Sequence, residues 1–299
     1  MQRRGLRDGQ TPPVNVTPRA PQPAPGSCGR NSTPDPSRAR PPSGYNPAMP
    51  HHLEFLAVPG IPMVQPGDDL AALIAARAPA LQDRDVIVIA QKIVSKAENR
   101  GVDLATVTPS PRAIELAAEV GKDARLVEVI LAESTRVVRS RPNLLIMQHR
   151  LGFVMANAGV DHSNVAPADG IDRALLLPLD PDKSATAIRA RLEASAGVRL
   201  AVIISDSFGR PWRRGTVGVA IGSAGLPSLI DMRGQPDLFG RILEVTVIGF
   251  ADEIAAAAGL LQGQAGEAQP VAIVRGLTWT ARDAPVNELV RPPEEDLFR

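Results

Sequence analysis

Between Leu53 and Arg275 short apolar runs alternate with helical patterns in an irregular order, and that irregularity constrains the fold more than any other feature of the chain. Val86–Ala90, Arg199–Ser205 and Val271–Arg275 are apolar runs of strand length, suited to strands buried on both faces. Leu53–Val58 reads as an earlier strand, followed by a turn at Pro59-Gly60-Ile61-Pro62. Helices are expected over Asp68–Ala78, Pro111–Val120, Arg125–Ser134, Lys183–Ala196 and Asp252–Gln262. Asp68 and Asp69 place negative charge where the helix dipole favours it, and Ser110 precedes Pro111 as an N-cap precedes a first helical residue. Leu144–Gln148 and Gly152–Met155 read as a hairpin around His149 and Arg150, Gly215–Ser223 as a glycine-rich extended segment, and Leu243–Phe250 as a strand. The chain has neither a Rossmann glycine fingerprint nor a GxxxxGK[ST] loop. The expectation is an α+β fold, mixed sheets with flanking helices, rather than a doubly wound parallel sheet.

Composition matters chiefly at the N-terminus. Of the 299 residues, the first fifty hold 12 of the 29 prolines and seven arginines against two aspartates, a local charge of +5. With +1 for the whole chain, residues 51–299 carry −4, so the basic excess belongs to the tail and does not mark the folded part as a nucleic-acid binder. Residues 1–50 are therefore read as a disordered Pro/Arg-rich tail and 51–299 as the folded domain, with Met49 an alternative start. The single cysteine, Cys28, lies in that tail, which leaves the domain no thiol nucleophile, disulfide or cysteine metal site. No apolar run approaches the roughly 20 residues that span a bilayer, so a cytoplasmic protein without membrane contact is expected.

Chemistry concentrates where Ile203-Ile204 runs into Ser205-Asp206-Ser207-Phe208-Gly209-Arg210-Pro211-Trp212-Arg213-Arg214. A strand ending in Ser-Asp-Ser offers hard oxygen ligands at its tip, and guanidiniums beside it suit phosphate or carboxylate. Asn157-Ala158-Gly159-Val160-Asp161-His162-Ser163-Asn164 sets a second acid among small residues, so Asp161 and Asp206 are candidates to share a divalent cation. Taken singly, Asp161 reads equally as an Asx-turn and Asp206 as a cap. Lys92 and Lys96, four residues apart, reach one anion if their segment begins a helix, with Glu98 available to pair with either. Gln262–Glu267 closes a helix, where exposed carbonyls suit a cation or a plain glycine cap. His51, His52 and His149 are read as surface residues, and His162 as a solvated residue of a polar turn with a ligand or base role as the alternative.

With these residues in place the sequence resembles the coenzyme F420-0:γ-glutamyl ligase family across residues 53–298. The blocks that carry the resemblance are Val58–Pro62, Val94–Glu98, Asn157–Asp161 with Ser163-Asn164, Ser205–Arg214, Ala251–Leu261 and Val274–Leu277. The resemblance implies a two-lobed ligase core and a GTP-dependent amide ligase that adds L-glutamate to the phospholactyl end of F420-0 through an acyl phosphate, with Mg²⁺ or Mn²⁺, and K⁺ as a further ion. It implies metal ligands at Asp161, Asp206, Ser207 and Gln264. Asp161, Asp206, Lys96 and Arg213 are the catalytic candidates, with Lys92 or Lys96 stabilising charge and Arg210, Arg213 and Arg214 gripping the substrate's phosphate or carboxylates. Nucleotide contacts carry over to Ile61, Pro62, Met63, Val64, Gln91, Lys92, Lys96 and Asn164, and to Gln262, Gly263, Gln264, Ala265, Gly266, Glu267, Ala268 and Gln269. Gln264 is neutral where some relatives have glutamate, and Asn99 replaces a common glycine. Relatives form intertwined dimers, so a homodimer is implied; some carry a fused flavin-binding domain, which here would have to come from another polypeptide. Two other classes stay open on the residues alone: a kinase or phosphatase using the same metal and arginines, and a nucleotide-binding module without turnover.

Overall fold

The computed structural model describes residues 52–162, 170–280 and 284–297. The Pro/Arg-rich segment 1–50, His51, and the expected nucleotide contact Asn164 with its neighbour Ser163 lie outside the described residues.

In chain order the strands and helices are β1 (Glu54–Ala57), α1 (Leu70–Ala75), β2 (Val86–Ala90), α2 (Gln91–Ala97), β3 (Gly101–Asp103), α3 (Pro111–Val120) and α4 (Ala124–Ala132). Then come β4 (Ser134–Arg141), β5 (Leu144–His149), β6 (Val154–Ala156), β7 (Arg173–Leu175), α5 (Pro181–Ala196) and β8 (Ala201–Arg210). The chain continues through β9 (Arg213–Ala224), β10 (Ile230–Asp231), β11 (Val247–Ile248), α6 (Phe250–Gln262) and β12 (Val271–Arg275). The fold is α+β with mixed sheets, as the alternation of patterns implies.

The main sheet has the order β1-β12-β2-β8-β9, with β2 and β8 parallel and every other pair antiparallel. Its three central strands are the uninterrupted apolar runs of the sequence, and Val86 to Ile89, Ala201 to Ile204 and Val271 to Val274 are all buried. Helices α1, α5 and α6 contribute Ile74, Leu192, Ile254 and Ala258 to the same core. A second core forms the other lobe, where Leu116 and Val120 of α3 and Val127 and Ile130 of α4 meet Leu145 and Met147 of β5. Helix α3 has the bounds its punctuation dictates: Ser110 accepts a hydrogen bond from the Ala113 amide, and Gly121 ends it at φ 70°.

Four expectations need correction. The strand expected at Leu243–Phe250 shrinks to Val247–Ile248, and Phe250 instead starts α6. Its apolar residues have nothing to pack on, since Val245 is 85% exposed, whereas Phe250 is buried in the main core. Nor does β8 end at Ser205: it runs on to Arg210 because Phe208 extends the core, meeting Phe153 edge-on at 5.9 Å. His149 is wholly buried, accepting the Leu151 amide on Nδ1 and facing Glu133 with Nε2 at 3.3 Å. Glu98 pairs with neither lysine and instead accepts from Ser184 Oγ and the Leu179 amide.

Candidate functional site

Strand β2 ends at Ala90 and α2 begins at the next residue, so the first turn of that helix is fixed against the end of the main sheet. A helix beginning at Gln91 puts Lys92 and Lys96 one turn apart on one face. Both line a cavity of about 680 Å³, within the usual range for small-molecule sites. Beside β2 the neighbouring strand β8 contributes Ser205, Asp206 and Ser207 to the lining, and the end of α6 with the segment after it contributes Gln262 to Pro270. Ile61, Pro62, Met63 and Val64 form a rim.

Asp161 arrives from the second lobe. After β6 the backbone makes a turn in which Asn157, Ala158 and Gly159 have φ of 52°, 52° and 68° in succession. For a non-glycine residue that conformation costs roughly 1–2 kcal/mol, and such strain persists only where surrounding structure enforces it. A Cβ on Gly159 would meet Leu177 at 2.9 Å, so the turn packs too closely for any side chain there. Asp161 itself is pinned by reciprocal backbone hydrogen bonds with Leu175, of 2.9 and 2.8 Å.

The electrostatics follow from two acids and two lysines meeting in a half-closed space. Burial, and then the Asp161 charge, pushes the Asp206 carboxyl from 3.8 up to about 7, although the Ser207 amide donates to its Oδ1 at 2.7 Å. Burial also raises Asp161, against the Lys92 ammonium at 3.5 Å and the Gln91 amide at 2.7 Å. Lys96 is lowered by burial and then by Lys92. The Asn157 Oδ1, also at the cavity, is buried without a hydrogen-bond partner among the described residues. A buried acceptor left unpaired costs on the order of 1–3 kcal/mol, so this oxygen is open to a hydrogen-bond donor or a cation.

Among the described residues no three His, Cys, Asp or Glu side chains cluster as a metal site. Two carboxylates, an amide oxygen and the hydroxyl of Ser207 are nevertheless a hard-oxygen set, and Mg²⁺-like ions are commonly held by one or two carboxylates together with substrate phosphates. The donor chemistry therefore fits a divalent cation completed by a phosphorylated substrate.

The cavity gathers Ile61, Pro62, Met63, Val64, Gln91, Lys92, Lys96, Asp161, Asp206, Ser207 and the whole run Gln262, Gly263, Gln264, Ala265, Gly266, Glu267, Ala268 and Gln269. Within that run the roles divide. Gln262 donates its side-chain amide to the Val88 and Pro270 carbonyls, both at 3.2 Å, and so ties α6 to the sheet. Glu267 folds back to accept the Ala265 amide at 2.7 Å, which holds its carboxyl below the usual range. Arg213 is not brought there: it opens β9 beside Trp212 at the hairpin tip, exposed and away from the cavity lining. Arg210 pairs opposite it across the hairpin, and its Nη1 is buried without a partner among the described residues. Sequence reasoning quoted Asn157 but assigned it nothing; the signal was its place in the Asn-Ala-Gly-Val-Asp turn. His162 pairs with Asp172 at 2.6 Å and stays half-exposed.

Comparison with known proteins gives one consistent result. The sequence model described as F420-0:Gamma-glutamyl ligase matches residues 60–276. A coenzyme F420:L-glutamate ligase of Methanothermobacter thermautotrophicus is 47% identical over 83% of this chain and 99% of its own length. The coenzyme F420:L-glutamate ligase of Methanopyrus kandleri is 46% identical over the same shares. That of Archaeoglobus fulgidus is 45% identical over 83% of this chain and 96% of its own.

Proposed function

The chain belongs to the F420-0:γ-glutamyl ligase family, and from this membership and the chemistry of the cavity we propose that it joins L-glutamate to the phospholactyl carboxylate of coenzyme F420-0, using GTP and a divalent metal. The observation that carries the proposal is convergence: acids, lysines and a glycine-rich loop scattered from Ile61 to Gln269 line one cavity.

A carboxylate is a poor electrophile, so making an amide requires its activation. In the proposed reaction the acceptor carboxylate attacks the γ-phosphorus of GTP, releasing GDP and forming an acyl phosphate. The glutamate amine then attacks the acyl carbon, and phosphate leaves with the carboxyl oxygen. Asp161, Asp206, Ser207 and Gln264 would hold Mg²⁺ or Mn²⁺, which supplies charge stabilisation to the phosphates when bound. Lys92, 3.5 Å from Asp161, and Lys96 one turn along α2 add positive charge beside the proposed metal ligands, where partial burial makes it effective. Burial of Lys96 makes its ammonium a less hydrated, stronger partner for an anion. Nucleotide contacts are assigned to the Ile61–Val64 rim and the loop after α6. Arg210, Arg213 and Arg214 on the β8–β9 hairpin are left to engage the acceptor's phosphate or carboxylates. K⁺ is retained only as a further ion of the reaction.

A homodimer belongs to the same proposal. The segment between β10 and β11 exposes Leu238 at 82% and Phe239 at 94%, a concentration of apolar surface that a second copy would cover. Among the described residues no helix is long and apolar enough to cross a membrane, and the cytoplasm is proposed as the site of action. The test of the reaction is GDP release that requires both F420-0 and L-glutamate. GTP turnover indifferent to glutamate would instead indicate a phosphoryl transfer to another acceptor.

A further inference from the structure

Asp161 does not stand in the cavity unsupported. Gln91, the first residue of α2 and 1% exposed, donates Nε2 to Asp161 Oδ2 at 2.7 Å. One turn along the same helix Ser95, wholly buried, donates Oγ to Gln91 Oε1 at 2.9 Å. Lys92 Nζ lies 3.5 Å from the same Oδ2.

A carboxamide can be mounted two ways related by a half-turn. With its oxygen toward Asp161, two acceptors would face each other, and the buried Ser95 hydroxyl would meet an amino group. The acceptor-only carboxylate selects the other orientation, with the NH₂ toward the acid, and the Ser95 hydroxyl, able to donate or accept, then donates to Oε1 and holds the amide in place. Oδ2 is then engaged from two sides, while Oδ1 has no hydrogen-bond partner among the described residues. Asn157, whose Oδ1 is buried and unpaired among the described residues, lines the same cavity.

We propose that Ser95 is a positioning residue: acting through Gln91, it holds Asp161 so that one carboxylate oxygen is presented to the divalent cation and the other is tied to α2. This rests on the metal role given to Asp161 above. It also gives Gln91 a task in the protein before any nucleotide arrives.

The test is direct Mn²⁺ binding, read by electron paramagnetic resonance of the free ion on the whole chain without nucleotide. Partners that orient a metal ligand typically change affinity by about 10–100-fold. Ser95→Ala is expected to raise the Mn²⁺ Kd about tenfold, at the low end of that range, with a fall of a few degrees in Tm from the unpaired Gln91 Oε1. In a Gln91→Met background Ser95→Ala should add almost nothing, because the amide through which it acts is gone. Should Ser95→Ala fail to fold, Ser95→Cys keeps the volume with a weak donor and is expected to weaken Mn²⁺ in the same direction. A wild-type Kd in the serine variant, or an effect that adds in full on Gln91→Met, overturns the relay. Asp161→Asn separates the two readings. If it binds Mn²⁺ as tightly as wild type, the metal assignment of Asp161 fails and the relay with it; if it loses the ion while Ser95→Ala does not, the relay alone fails.

Discussion

Replacing Asp206 by asparagine should make the metal-free protein more stable while abolishing turnover. Burial first, and the Asp161 charge second, raise this carboxyl from 3.8 to about 7. A carboxyl with a raised pKa binds more protons folded than unfolded, so stability falls as pH rises from about 4 to about 7. The loss is absent below the unfolded value and complete above the folded one. A shift of about three units corresponds to about 4 kcal/mol, and water entering an open cavity should reduce that to about 2–4 kcal/mol. Asparagine has no charge to desolvate, yet its Oδ1 can still accept the Ser207 amide. For a domain of this size each kcal/mol moves Tm by roughly 2–4 °C, so in chelator at about pH 8 the variant should melt roughly 5–15 °C above wild type. At about pH 4.5 the gap should shrink to about 1 kcal/mol. Calorimetry at both pH values reads this directly, and Mn²⁺ should raise the wild-type Tm while leaving the variant's unmoved. Equal melting temperatures at the higher pH, or a less stable variant, would refute the view that Asp206 is a destabilised anion kept for a cation.

Other outcomes follow from the same geometry. Gly159→Ala should cost about 2–4 kcal/mol by adding a Cβ at a left-handed φ and against Leu177, read as a lower urea midpoint together with lost activity. Arg213→Ala should raise the KM for F420-0 about tenfold, with kcat and the KM for GTP little changed, because an exposed guanidinium contributes binding rather than chemistry; an unchanged KM in steady-state assays would make the residue dispensable. Phe239→Asp should shift sedimentation from dimer toward monomer, since a charge cannot be buried between copies, and wild-type sedimentation would remove this segment from the interface.

Much of the fold was legible because its physics is local. The strands β2 and β12 are buried on both faces and so appear as unbroken apolar runs, and Ser110 and Gly121 punctuate α3 with a side-chain cap and a left-handed glycine. Asn99 takes the positive φ, 55°, that its chemistry tolerates. Exposed apolar residues misled, since the stretch from Leu243 to Val247 hydrogen-bonds to residues 231–235 at its backbone but has no core to bury side chains such as Val245. His149 was misread because its burial depends on Glu133, sixteen residues away on the preceding helix end, and on an ion-pair group with Arg100 and Arg150.

The site was legible as residue types and motif blocks, and unreadable as geometry. Nothing in spacing foretells that Gln91 meets Asp161 across 70 positions, or that Ser95 stands behind it. That contact depends on two lobes meeting at the end of a sheet. The hairpin arginines show the converse, since neighbours in sequence to Asp206 are carried away from the cavity by the continuing strand.

The most direct measurement of the central claim is mass spectrometry of F420-0 after incubation with the protein, GTP, L-glutamate and Mn²⁺. The account predicts an acceptor heavier by glutamyl units, with GDP formed in step with each addition and nothing formed when either GTP or glutamate is withheld. An unchanged acceptor, with or without GTP hydrolysis, would contradict it.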